Sequence, residues 1–307
     1  MQILMVILPV FSVYALGYFG YHYLKPDIAG LARLSVYLML PFLCFDMFYR
    51  HELSFSDIYL IIYTVILTYI LIAIIYVLAR LLKYNTKDGS ALILSSVFMN
   101  SGNYGIPVVL LAFGEEGRPI VIFLTVFHGV LQATIGIYYA AKGGGAGSVG
   151  IKAPLLAVVR MPVIHAIVLG FLFQKLGIHI SENFMVCIEM VGNASIPTAM
   201  IVLGMQLATI SLKHVDLLKT AIAVTLKLLI SPVLAYLLVF FMPVDPLIKK
   251  VFVLTAGMPT AANTTILALQ FDTDAKFVSA VTFITTLLSL VTVSALLYFM
   301  KTGLIAF

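Results

Sequence analysis

Two stretches of this chain place asparagine, threonine, glycine and proline in the middle of otherwise apolar segments. Phe98 to Pro107 reads FMNSGNYGIP, and Gly257 to Thr265 reads GMPTAANTT. A helix broken inside hydrocarbon frees backbone N–H and C=O groups that cost several kcal/mol each, so unwound backbone there must line a cavity or be buried in protein. After each break the helix can restart, with Pro107 at the first position in one case and Asn263 or Thr264 as the cap in the other. Free N–H groups and the positive ends of two helix dipoles then face one small volume, which favours an anion. A carboxylate is the natural guest. Asn100, Asn103 and Asn263 add neutral donors and acceptors, Thr260 and Thr264 add hydroxyls, and Gly102 and Gly105 let backbone approach a ligand closely. Neighbouring helices can re-satisfy one such kink, but two kinks in corresponding places point to a substrate site.

The elements that hold these residues follow from composition. Hydrophobic residues make up 62% of the 307-residue chain and charged residues only 10%, far below the roughly 25% of a soluble domain. This is the signature of an all-α polytopic membrane protein with no room for a sizeable soluble domain. At about 20 apolar residues per span, ten spans are expected, near 2–23, 28–48, 55–82, 89–113, 118–140, 153–174, 183–209, 215–241, 248–270 and 274–300. The first is too long for a cleavable signal and belongs to the mature protein. Cys44 and Cys187 fall within spans, where packing is their expected role. A Gly-rich linker, GGGAGS at Gly143 to Ser148, separates a first five-helix repeat (1–140) from a second (153–307), with 141–152 as the connection.

Lys and Arg set the orientation. The loops after the odd-numbered spans carry Lys25, Arg33, Arg80, Lys83, Lys87, Lys142, Lys152, Arg160, Lys213, Lys219 and Lys276, more than the opposite side, so they face the cytoplasm. Both termini are then extracytoplasmic, in a bacterial or archaeal inner membrane. The net charge of +5 is scattered over helix ends, which argues against nucleic acid as a partner.

Five spans on each side of the linker put the halves upside down relative to each other. Pro9 to Phe19 aligns with Pro162 to Leu172. Arg33 precedes Pro41 as Glu189 precedes Pro197, and Asn103 and Asn263 occupy equivalent breaks. Two inverted five-helix repeats with broken fourth and ninth helices are expected, and such repeats place the substrate where the halves meet.

Other ionisable residues allow more than one reading. Lys227 lies deep in the eighth span, where it is either a fixed charge that steadies the site and stands in for a sodium ion, a group that exchanges a proton with the anion, or a structural pair. Asp46 and Glu189 are candidate partners or proton carriers, with Asp46 alternatively a solvated or capping group and Glu189 an ion-pair partner of Arg33. His128 and His165 lack a second ligand at helical spacing, so no metal is expected. Gln132, Gln206 and Gln270 either line the pathway or bond between helices. The chain shows neither HExxH nor a convincing Ser and His arrangement, which argues against an enzyme. A sodium-coupled symporter of bile-acid type and an anion channel are the competing transport classes, and coupling to H+ or Na+ is open.

The motifs LMLPFLCFDMF, NSGNYGIPV, ASIPTAMIVLGMQLA and MPTAANTTILA together resemble the auxin efflux carrier family, which includes plant auxin exporters and bacterial permeases of dicarboxylates such as malate and malonate. The resemblance spans essentially the whole chain. It implies a ten-helix fold similar to that of bile acid symporters, with a scaffold from helices 1, 2, 6 and 7 and a transport domain from helices 3–5 and 8–10. It also implies a homodimer, elevator-like movement, a crossing of helices 4 and 9, and Asn103, Pro107, Pro259 and Asn263 as binding residues for a small organic anion. The long cytoplasmic loop of the plant exporters is absent.

Overall fold

The computed structural model describes residues 4–52, 55–145, 152–210, 212 and 215–305. Residues 146–151 of the expected linker region and Lys213 lie outside the described residues. The described residues form helices and turns, with a single isolated backbone bridge between Met99 and Thr260.

In chain order the helices are α1 (Leu4–Leu24), α2 (Ile28–Arg50), α3 (Phe55–Leu81), α4 (Thr86–Ser96), α5 (Ile106–Phe113), α6 (118–143), α7 (Lys152–Val159), α8 (Pro162–Lys175), α9 (Glu182–Ala208), α10 (Leu217–Phe240), α11 (Pro246–Ala256), α12 (Ala262–Gln270) and α13 (Ala275–Thr302). Among the described residues, six apolar helical stretches are long enough to cross a membrane: Ile28–Arg50, Ile58–Leu81, Ser101–Gly143, Glu182–Ala208, Leu217–Phe240 and Ala275–Thr302. The 43-residue stretch Ser101–Gly143 covers one expected span and half of another, joined by a short turn at Gly114–Gly117. Leu16, Phe19, Leu237, Leu269 and Val291 are among many large apolar side chains left exposed, as helices that face lipid require.

The expected sixth span is not one helix. It divides at Arg160 and Met161 into α7 and α8, with Met161 extended at φ −72° and ψ 121°, because the ring of Pro162 disfavours helical backbone at the residue before it. Prolines also reshape the interiors of longer helices. The π-turns at Leu34–Met39, Ser101–Gly105 and Leu226–Ile230 precede Pro41, Pro107 and Pro232. Each of these prolines lacks an N–H and crowds the carbonyl four residues earlier, and the wider turn relieves the clash.

α1, α2, α8 and α9 pack against one another at glycines. A side chain on Gly17 would meet the carbonyl of Ile201, one on Gly204 the carbonyl of Tyr14, and one on Gly170 the carbonyl of Phe45. At one end of the remaining helices Lys219, buried, binds Asp88 at 2.6 Å and Asp274 at 3.4 Å, tying α10 to α4 and to the start of α13. Cys44 is buried as expected, whereas Cys187 is exposed on α9.

The close crossing of α1 and α9 makes Gly204→Leu costly, by about 1–3 kcal/mol through overpacking. Gly20 has nothing within 4 Å of its Cβ position, so Gly20→Ala should leave stability within about 0.5 kcal/mol. Thermal unfolding of the two variants in detergent checks both, and equal midpoints would contradict the crossing.

Candidate functional site

Each of the two breaks separates a pair of short helices, α4 from α5 and α11 from α12, and the unwound segments lie side by side. The Asn100 N–H donates to the Pro259 carbonyl at 2.9 Å, and the Ala261 N–H donates to the Phe98 carbonyl at 3.0 Å. Met99 and Thr260 therefore pair antiparallel, like one rung of a sheet. Backbone groups freed in each segment satisfy those of the other, which meets the demand that lipid places on unwound chain. Pro259 suits this role, since it needs no acceptor for an N–H and offers its carbonyl to the partner.

Carbonyl ends and amide ends are treated differently. Near the C-terminal end of α4, the Thr260 hydroxyl donates to the Ser95 carbonyl, while the Thr285 hydroxyl accepts from the Thr260 N–H at 3.2 Å. At the end of α11, the Ser231 hydroxyl donates to the Ala256 carbonyl at 3.0 Å. Both departing helices thus have a terminal carbonyl covered by a hydroxyl. The two restarts, at Asn100 and Ala261, carry no side-chain cap. The Ser101 N–H donates to the Met99 carbonyl at 2.9 Å and the Thr264 N–H to the Ala261 carbonyl at 3.2 Å, which leaves the amides of Gly102, Asn103, Ala262 and Asn263 without an acceptor in the helix. The balance of the site is amide-rich, and amide-rich helix starts suit an anion better than a cation.

The restarts differ from expectation in register. The first begins at Ser101 in a π-turn, closed by the Gly105 N–H donating to the Asn100 carbonyl at 3.0 Å, so Pro107 sits inside the resumed helix. Pro107 leaves the Asn103 carbonyl four residues back without its usual donor. The Tyr14 hydroxyl of α1 donates to it instead, at 3.3 Å. In the second restart Ala261 is the cap residue, at φ −63° and ψ 127°, and neither Asn263 nor Thr264 is. Thr264 turns its hydroxyl back to the Ala261 carbonyl at 2.7 Å, which places it one turn into α12.

The asparagines are placed unequally. Asn100 is buried and its amide nitrogen has no partner. Asn103 is half-buried and Asn263 is exposed on the first turn of α12. Gly102 is half-buried, with the Thr125 methyl 3.4 Å from its Cβ position, and Gly105 has 3.6 Å to the Asn100 carbonyl. Thr260, Thr264, Pro107 and Pro259 are buried. Tyr14 and Tyr104, whose rings stand 5.8 Å apart, were not singled out from sequence. The Pro107 to Asn103 spacing was the signal that a hydroxyl from elsewhere would be needed.

Lys227 is fully buried in the π-turn of α10 and its ammonium has no partner. Its expected partners are engaged elsewhere. Asp46 is buried, not solvated, and pairs with Arg50 at 2.6 Å, and Arg50 also reaches Glu189 at 3.6 Å. Glu189 therefore pairs with Arg50 and not with Arg33, which lies exposed on α2, because residues one helical turn apart on α2 bring Asp46 and Arg50 to the face opposite Glu189. Gln132 occupies another π-turn, and its amide nitrogen is buried without a partner. His165 and Gln270 are exposed.

Long apolar helices around a polar, interrupted centre define a polytopic membrane protein. A family model described as "Membrane transport protein" matches residues 2–297, and the chain belongs to that family, in keeping with its resemblance to the auxin efflux carriers. An "Uncharacterized transporter" of Methanothermobacter thermautotrophicus is 30% identical over 95% of this chain and 94% of its own length. A "Putative malonate transporter" of Rhizobium meliloti is 29% identical over 97% of this chain and 95% of its own length. The chain is a membrane transporter and not an enzyme.

Because Thr260 donates to Ser95 while buried, Thr260→Val should lower stability by about 1–3 kcal/mol by leaving that carbonyl unpaired. Thr260→Ser keeps the hydroxyl and should lose much less. Thermal unfolding compares them, and a valine variant as stable as wild type would remove this bond from the account.

Proposed function

We propose that the chain is a secondary transporter of small organic anions, with dicarboxylates of the malonate class as its substrates, and that the anion sits between the two helix restarts. The uncapped amide starts, set against hydroxyl-covered carbonyl ends, carry this reading. The R. meliloti relative, whose description reads "Putative malonate transporter", supports the substrate class. A sodium site at the same place would draw on backbone carbonyls, and two of those closest to the breaks already accept hydroxyls.

In this reading the chain forms ten membrane crossings as two inverted repeats, and the segments containing α4–α5 and α11–α12 cross at their breaks. The glycine-packed set α1, α2, α8 and α9 serves as scaffold, while α3 to α6 and α10 to α13 move as the transport domain in an elevator-like alternation within a homodimer. Contacts between the sets suit sliding. They are mostly aromatic, as with Tyr14 and Phe11 against Tyr104 and Phe48 stacked on Phe123 at 5.8 Å, with a charge-assisted bond from Arg118 to Asn193. The cytoplasmic side is the one rich in Lys and Arg, with both termini outside in an inner membrane.

Purified protein in liposomes should take up labelled malonate with saturation, and should do so without sodium. Asn103→Ala and Asn263→Ala should each weaken malonate binding by about 1–3 kcal/mol. Unchanged affinity in the double variant removes these side chains from the site. Uptake that stops when sodium is withdrawn selects a sodium-coupled symporter, and ion currents far above carrier turnover select a channel.

A further inference from the structure

Two basic side chains near the breaks have no counter-ion. Lys227 is 0% exposed and His128 is 7% exposed, and the Lys227 ammonium and both ring nitrogens of His128 lack hydrogen-bond partners. Lys227 lies one turn before Ser231, whose hydroxyl bonds the Ala256 carbonyl at the edge of the second break. His128 lies one turn after Thr125, whose methyl faces Gly102 in the first break.

The surrounding titratable groups are committed to other partners. On α3 Tyr63 donates to the Phe252 carbonyl at 2.8 Å, and on the first restart Tyr104 shares a 2.8 Å contact with Ser289 of α13. On α2 Asp46 holds Arg50, and Asp88 of α4 and Asp274 beside α13 hold Lys219. Glu115 pairs with Arg118 at the start of α6. Lys249 and Lys250 lie in the first two turns of α11, away from its broken end. Among the described residues, no carboxylate pairs with Lys227 or His128.

An unpaired ammonium or imidazolium in such surroundings carries a large desolvation penalty, and charging both groups would add their repulsion. A carboxylate arriving at the helix restarts would supply the missing counter-charge. We infer that Lys227 and His128 together take up one proton as the organic anion enters, so that anion and proton cross the membrane together. This rests on the carboxylate-carrier reading above. The proton comes from the aqueous side with the anion, is held on one of the two nitrogen bases while the site is loaded, and leaves with the anion on the far side. The empty carrier returns with the pair uncharged.

The test uses the full chain in liposomes with labelled malonate and a pH-sensitive dye in the lumen, against protein-free liposomes. With the lumen more alkaline than the bath, wild type should accumulate malonate above its external concentration and acidify the lumen in step, and a protonophore should abolish the accumulation. The ratio of protons to malonate should fall by half or more in Lys227→Met and in His128→Gln, whatever happens to affinity. Saturable malonate uptake without acidification, or an unchanged ratio in both variants, would overturn the inference while leaving the carrier reading intact. Failure of wild type to take up any carboxylate would overturn both.

Discussion

Unwound backbone inside a membrane has to find partners within the protein, and the rest of this structure depends on how that is done at Met99 and Thr260. The two hydrogen bonds between Asn100 and Pro259 and between Phe98 and Ala261 let two helices be interrupted at mid-length without orphaned groups at the bridge. Neither break is stable without the other, because each supplies the acceptor that the other needs. Thr260 extends the arrangement by reaching to Ser95 and to Thr285, so the bridge is anchored to α4 and α13 as well.

From this pairing an electrical asymmetry follows. Antiparallel pairing sends the resumed helices away from one point, with their N-terminal ends together. Hydroxyls from Thr260 and Ser231 cover carbonyls at the ends of the departing helices, while the restarts stay uncapped. Partial positive charge is therefore left facing the gap. Tyr14 links this centre to the glycine-packed helices through the carbonyl that Pro107 leaves open.

Much of this was legible in the sequence for a simple reason. Long apolar runs and mid-run clusters of Asn, Gly, Pro and Thr have no other economical explanation in lipid, and the boundaries of α2, α3, α9, α10 and α13 fall within a few residues of those read from hydropathy. Local backbone chemistry was harder to read. Pro107 looks like a helix start, yet the π-turn before it moves the start to Ser101, because widening the turn relieves the proline clash without ending the helix. Ala261 caps α12 because the cap conformation is dictated by its bond to Phe98 and not by its side chain. The kink at Met161 was missed because the apolar runs on both sides outweighed the one local signal, Pro162 after Arg160 and Met161. Partners of ionisable groups were the least legible. Glu189 meets Arg50 and not Arg33, and no periodicity within either helix records which faces of α2 and α9 come together.

The claim on which the account turns is that an anion rests between the amides of the two restarts. Crystals of the protein grown with bromomalonate would locate the ligand through the anomalous signal of bromine. The account predicts a single strong peak beside Gly102 and Asn103 on one side and Ala262 and Asn263 on the other, with carboxylate oxygens in hydrogen-bond reach of those backbone N–H groups. A bound ligand whose carboxylates lie elsewhere, or a sodium ion held by carbonyls in that gap, would contradict it.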